Sequence, residues 1–248
     1  MPMDTAEFRS HAELEDDHWW FKARREIILD QLIKILPPGK DKVIAEIGCG
    51  TGGNLKLLNE HYRVLGVDIA PEAVEYAKAR VNCDIFLGDF RDALKNRWQQ
   101  LDAVILADVL EHVEDDRNFL HDIISCLKED AFIVITVPAQ SFLWSKHDVI
   151  LGHQRRYSKK SLRSLWKTRP VREITFSPFN FFLFPVILVF RILRANALSS
   201  GKSDLKMPSS IINNLLYRIF VAEKTLLKRI TLPWGVSYLA VLRKTEVK

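Results

Sequence analysis

Apolar positions along this chain keep two alternating rhythms. Residues 18–36, HWWFKARREIILDQLIKIL, place Ala23, Ile27, Ile28, Leu32 and Ile35 at helical spacing, and Pro37, Pro38 and Gly39 end the run. VIAEIG (43–48) is then a short apolar run of the kind buried in a parallel sheet. A glycine-rich turn follows, then a helical pattern at Leu55, Leu57 and Leu58. RVLGVDI (63–69), CDIFLG (83–88), LDAVILA (101–107) and AFIVITVP (131–138) read as further strands. PEAVEYAKAR (71–80), with proline in its first turn, and EDDRNFLHDIISCLKED (114–130), with Phe119, Leu120, Ile123, Ile124 and Leu127 on one side, read as helices between them. Strands alternating with helices at this spacing predict an α/β fold on a parallel sheet.

The rhythm changes after residue 150. SKKSLRSLWKT (158–168) predicts a helix, VREITFS (171–177) a strand and GVSYLAVLRK (235–244) the last strand. Between these strands lies a long insertion, PFNFFLFPVILVFRILRA (178–195), a polar linker (199–210) and IINNLLYRIFVAEKTLLKRI (211–230). Its second helix carries an apolar stripe of Ile211, Leu215, Leu216, Ile219, Phe220, Leu226, Leu227 and Ile230. The apolar run from Phe179 to Phe190 falls short of the roughly 20 residues needed to span a bilayer. A segment lying in a membrane interface is the favoured expectation. A cap on the sheet and a homodimer contact are the alternatives. The resulting division is an N-terminal helical lid (1–38), an α/β core (39–177), the apolar and basic insertion (178–233) and a final strand with its tail (234–248).

Charge sharpens that division. The chain of 248 residues carries a net charge of +5. Residues 1–150 hold 17 Lys and Arg against 27 Asp and Glu, a net of −10; residues 151–248 hold 19 against 4, a net of +15. An anionic membrane surface, a phosphorylated substrate or nucleic acid fits such a split. The acidic, polar start differs from a signal peptide, so a cytoplasmic protein, peripheral on the inner face of the membrane, is expected. Three scattered cysteines and seven histidines form no conventional metal-ligand pattern, and no metal is expected.

The chemistry begins at EIGCGTGGN (46–54), a strand running into glycines at 48, 50 and 52 and then a helix. Such glycines allow a ligand to approach the backbone closely. The triplet alone also suits a dinucleotide. Asp68 ends the second strand, where a carboxylate can accept from two ribose hydroxyls. Asp89 follows the third strand in LGDF, within reach of an adenine amine. Taken singly, either acid could be a turn cap.

Together with DAVILADVLEHVED, these segments resemble the class I S-adenosylmethionine-dependent methyltransferases over residues 40–140, and more loosely to 177. The resemblance implies a Rossmann-like, mostly parallel seven-stranded sheet flanked by helices, with S-adenosyl-L-methionine as cofactor. It implies that Gly48, Cys49, Gly50 and Gly52 border the methionine part, with Glu46 positioning the loop or the amino group. Asp68 would bind the ribose, Ile69 would pack on the adenine with Asp89 and Phe90 beside it, and Ala107 and Asp108 would approach the methionine end. HWWFKARR and the HD…GHxRRY run also resemble a bacterial subgroup whose N-terminal helix covers the cleft.

Methyl transfer asks the protein mainly for alignment, and a hydroxyl acceptor gains from a base. His112 in DVLEH and His153 are the candidate catalytic residues. His18, Trp19 and Trp20 are expected to close the site over the acceptor. His147, Arg155, Arg156 and Tyr157 are expected in a loop that binds it, the arginine pair suiting an anionic group. The preferred acceptor is a small, lipid-like or quinone-like molecule at a membrane surface; a soluble sugar or secondary metabolite, and a noncatalytic cofactor-binding scaffold, are the alternatives. Nucleic acid is disfavoured, because DVLE stands where an NPPY-type loop would be.

Overall fold

The computed structural model describes residues 5–195 and 206–246. Seven strands form one sheet: β1 (Gly39–Ile47), β2 (Tyr62–Asp68), β3 (Asp84–Leu87), β4 (Ala103–Ala107), β5 (Phe132–Pro138), β6 (Val171–Phe179) and β7 (Ser237–Lys244). Their order is β3-β2-β1-β4-β5-β7-β6. Strands β1 to β5 pair in parallel, and β7 runs antiparallel between β5 and β6. The order reverses between β1 and β4, which leaves a crevice beyond their carboxyl ends. This is the mostly parallel, Rossmann-like sheet that the sequence predicts.

Two cores cover the sheet. On one face α6 (Asp116–Cys126) buries Leu120, Ile123 and Ile124 against Val104, Leu106 and Ile133. On the other face α2 (Trp19–Ile35), α3 (Gly53–His61) and α4 (Pro71–Arg80) bury Ile27, Leu55 and Ala77 against Ile44, Val64 and Ile105. Helix α6 starts at Asp115, whose carboxylate accepts from Asn118 N at 3.0 Å, and α4 starts at Pro71, whose ring presets the helical φ.

Two short helices escape the sequence pattern: α1 (Thr5–Leu14) and α7 (Lys146–Ile150). Between β3 and β4 lies the four-residue α5 (Phe90–Ala93). The predicted helix at 158–168 is regular only over α8 (Lys159–Ser164).

The insertion forms α9 (Phe184–Ala195) and α10 (Ser210–Leu227). Residues 196–205, which include the first part of the predicted linker (199–210), lie outside the described residues. Helix α10 packs on α2, with Phe220 fully buried and stacked on Trp20 at 5.2 Å between ring centres. Thus Phe220 and Leu227 of the predicted stripe belong to the protein's own core, while Ile211, Leu215 and Ile230 remain exposed. No helix among the described residues is long and apolar enough to cross a membrane.

Candidate active site

The glycine loop leaves β1 through three left-handed positions, Gly48 (φ 72°), Gly50 (φ 53°) and Gly52 (φ 86°). A side chain at Gly48 would meet Val109, and one at Gly52 would meet α4 at Ala77. A Cβ built at Gly50 finds no neighbour within 4 Å, so its backbone borders open space. That space belongs to a cavity of about 580 Å³, lined by Glu46, Gly48, Cys49, Gly50, Ala107 and Asp108 among others. Such a volume suits a small-molecule ligand.

Asp68 braces this loop. Its carboxylate accepts from Gly50 N at 2.8 Å and from Ala70 N at 2.9 Å, and burial raises its pKa. A carboxylate has about four acceptor positions, so hydroxyl partners can still be added. The next side chain, Ile69, is 72% exposed, an apolar face beside the acid. Glu46 is buried, accepts from Asn54 Nδ2 at 2.6 Å through one oxygen, and has no partner for the other among the described residues. Burial pushes its carboxyl up to about 7. Burial likewise drives the Cys49 thiol well above its usual range.

Two further cofactor-side candidates also have structural partners. Asp89 caps α5, accepting from Arg91 N at 2.8 Å and pairing with the Arg91 guanidinium at 2.8 Å. Phe90 is buried against Trp98 and Phe119, so its side chain serves the core.

The N-terminal segment closes the cavity. Thr51 Oγ1 donates to Glu15, Arg80 pairs with Glu15, and Arg25 donates to Gly53 O at 2.9 Å. These contacts tie the turn between α1 and α2 to the glycine loop and to α4, and α2 itself to the start of α3. His18 caps α2, its Nδ1 accepting from Trp20 N at 3.3 Å, and burial lowers its pKa to about 4. His18, Trp19 and Trp20 all face the cavity, as does Arg24, which pairs with Asp108. Asp108 turns the chain out of β4 at φ 57° and accepts from Thr136 Oγ1 at 3.1 Å.

After Asp108 a single 3-10 turn, Leu110–His112, aims Glu111 and His112 at the cavity. His112 meets His153 edge to face, with ring centres 4.8 Å apart. Burial, then His153, lowers the His112 pKa to about 4. Glu111 is fully buried, and neither oxygen has a hydrogen-bond partner among the described residues. Burial, reinforced by Asp108, raises its pKa well above the carboxylate range.

His147, His153 and Arg156 also line the cavity. Behind them sits Asp148, fully buried, accepting from His153 Nδ1 at 3.0 Å, Arg156 Nε at 2.7 Å and Ser145 N at 2.8 Å, with Arg191 of α9 at 3.2 Å. Burial pushes the Asp148 carboxyl up, but the His153 bond and the two arginines outweigh it and hold it well below its ordinary value.

Arg155 and Tyr157 do not join the site. Arg155 pairs with Asp116 at 2.9 Å and donates to Glu114 O at 2.8 Å. Tyr157 is buried, its hydroxyl donating to Asp116 at 2.7 Å. The local chain is extended, with Ala139 and Tyr157 forming a bridge, so successive side chains alternate. Arg156 therefore turns inward while its neighbours tie down the loop after β4. The sequence pattern assigns no role to Glu15, Arg24 or Glu111, and marks Asp148 only as a residue whose spacing with His147 and His153 would permit a metal, with no conventional zinc pattern completed. Arg24, Glu111 and Asp148 lie inside HWWFKARR, DVLEH and HD…GHxRRY, and their place in those segments is the available signal.

A model of the methyltransferase domain family matches residues 20–169, more than half of the chain. The chain belongs to the class I S-adenosylmethionine-dependent methyltransferases. Its cofactor is S-adenosylmethionine. The orphaned oxygen of Glu46 and the open backbone of Gly50 fit the polar amino-acid end of that cofactor, and Asp68 with Ile69 fits its nucleoside.

The mitochondrial ubiquinone biosynthesis O-methyltransferase of Schizosaccharomyces pombe is 30% identical over 113 residues, covering 41% of this chain and 40% of its own length. Norajmaline N-methyltransferase of Rauvolfia serpentina is 28% identical over 132 residues, covering 50% and 45%. The chain spans between 40% and 60% of the length of the curated relatives it matches. A methyltransferase of Archaeoglobus fulgidus shares the fold at a TM-score of 0.55 and 20% identity, over 89% of this chain and 94% of that one.

Proposed function

We propose that this methyltransferase transfers the methyl group of S-adenosylmethionine to a small, lipid-like acceptor of the isoprenoid or quinone type, presented at a membrane surface. One observation carries the reading. Leu183, Val186, Ile187 and Phe190 of the insertion line the cavity that also holds the glycine loop and the two histidines, while Val189, outside that lining, is 55% exposed. The insertion thus offers one apolar surface to both the cavity and the solvent.

The cofactor supplies the methyl group already activated as a sulfonium. The chain's residues align the acceptor and exclude water. Trp19, Trp20 and α9 enclose its apolar body. His112 and His153 form the polar end, where the proton of an acceptor hydroxyl would be taken up. Arg24 is paired with Asp108, and Arg156 and Arg191 with Asp148, which disfavours a free anionic acceptor. Likeness to an enzyme named for ubiquinone biosynthesis supports the same direction.

The test is S-adenosylhomocysteine formation by purified protein supplied with polyprenyl phenols in vesicles and, separately, with soluble sugars. Turnover is expected with the first group. Turnover confined to soluble acceptors would overturn the lipid reading.

A further inference from the structure

We propose that Glu111, His112 and His153 form a binding site for a divalent transition-metal cation at the polar end of the cavity. One ligand atom from each side chain lies within 4.8 Å of the other two. Around a cation with donors at about 2.0–2.1 Å, ligand atoms sit roughly 3.0–3.4 Å apart. Closing the site therefore takes side-chain torsions and no rearrangement of the sheet.

Two further observations point to a ligand. Glu111 is fully buried and faces the cavity, yet neither of its oxygens has a hydrogen-bond partner among the described residues. An unpartnered buried carboxylate is costly, and a bound cation removes that cost. Arg24 and Arg156, whose charges act on Glu111, bond instead to Asp108 and Asp148. Secondly, His153 is held through Nδ1 by Asp148 at 3.0 Å, which leaves Nε2 as the free donor. A carboxylate behind an imidazole is the usual device for orienting a metal ligand and raising its basicity.

Two imidazoles with one carboxylate suit zinc, iron(II), cobalt or manganese better than calcium or magnesium, which prefer oxygen alone. Three protein ligands leave coordination positions open. An acceptor hydroxyl or phenol oxygen would occupy one. That use rests on the methyl-transfer reading; cation binding itself does not. The sequence offered no conventional ligand spacing because the three residues meet only when the loop after α7 folds over the 3-10 turn.

Tag-free protein, stripped with a chelator, is titrated with cobalt(II) and zinc(II) in the absence of cofactor. One equivalent per chain is expected, with visible cobalt bands. Glu111→Gln and His153→Ala should weaken binding by more than about 100-fold, and Asp148→Asn by about 10–100-fold. His121→Ala, on the exposed side of α6, should leave it unchanged. Circular dichroism checks each variant. Should the ligand variants not fold, X-ray absorption on zinc-loaded wild-type protein decides, with two imidazole nitrogens expected. Absence of stoichiometric binding, binding unaltered in folded Glu111→Gln and His153→Ala, or a zinc shell without imidazole each overturns the site. S-adenosylhomocysteine affinity is measured on the same samples. Normal affinity with no cation bound removes the metal site alone; a cation bound without cofactor affinity counts against the methyl-transfer reading instead.

Discussion

Each oxygen of Asp68 accepts a bond from the backbone beside it, Gly50 N on one side and Ala70 N on the other. The acid therefore shapes the loop before any cofactor arrives, and it would also accept from the ribose. Asp68→Ala should weaken S-adenosylhomocysteine binding by about 1.5–3 kcal/mol per lost charge-assisted bond. Calorimetric titration checks this, and unchanged affinity would remove Asp68 from the cofactor site. Arg156 and Arg155 are neighbours with separate duties. Arg156→Ala strips a buried partner from Asp148 and loosens His153, so turnover and stability should fall together. Arg155→Ala removes a partly exposed ion pair from Asp116, which keeps the Tyr157 hydroxyl, and should leave cofactor affinity within about twofold. Thermal melts and initial rates on both variants separate the two effects.

At the scale of elements, the joint between α2 and α10 holds the lid. Trp20 stacks on Phe220, and Phe179 at the end of β6 stacks on both. Phe220→Ala should cost about 3–5 kcal/mol in urea unfolding. Glu223 of α10 accepts from Phe182 N at 2.9 Å, and burial pushes its carboxyl up from 4.5 to about 7. Between those two values the folded protein keeps a proton that the unfolded chain has released. Stability from this group therefore falls as pH rises from about 4.5 to 7 and levels off above. Glu223→Gln retains the acceptor for Phe182 and removes that titration. The melting temperature of the variant relative to the parent should accordingly rise between pH 5 and pH 8; a constant difference would refute the assignment.

For the whole molecule, the charge split acquires a shape. The basic second part carries α9 and α10, and these present Val186, Val189, Ile211 and Leu215 to solvent beside the cavity. If this face meets a membrane, anionic vesicles should float the protein, and salt should weaken the association because the basic contribution is screened within about 10 Å at 0.1 M. Folded protein that fails to float at low salt would leave the exposed stripe to a protein contact, and a concentration-dependent mass would then identify a homodimer.

Local pattern determined a great deal here. The strand runs, the glycine loop and the acid at the end of β2 are consecutive in sequence, because a Rossmann-like unit builds each ligand contact at a strand end and repeats the step. Fold, family and the identity of the cofactor were therefore legible before any contact was known. Tertiary structure decided what depends on opposite faces and distant loops. Periodicity marks a side chain as apolar without naming its neighbour, so the stripe of α10 could not show that Phe220 and Leu227 face α2 while Ile211 faces out. Composition marked a dense polar loop, but only its bridge to β5 turned Arg156 inward and Tyr157 away. Glu111 and His153 sit on separate loops, and nothing local couples them. Their meeting is a product of sheet order, which sets the β4 and β5 ends side by side and leaves the loops beyond them no other space to share.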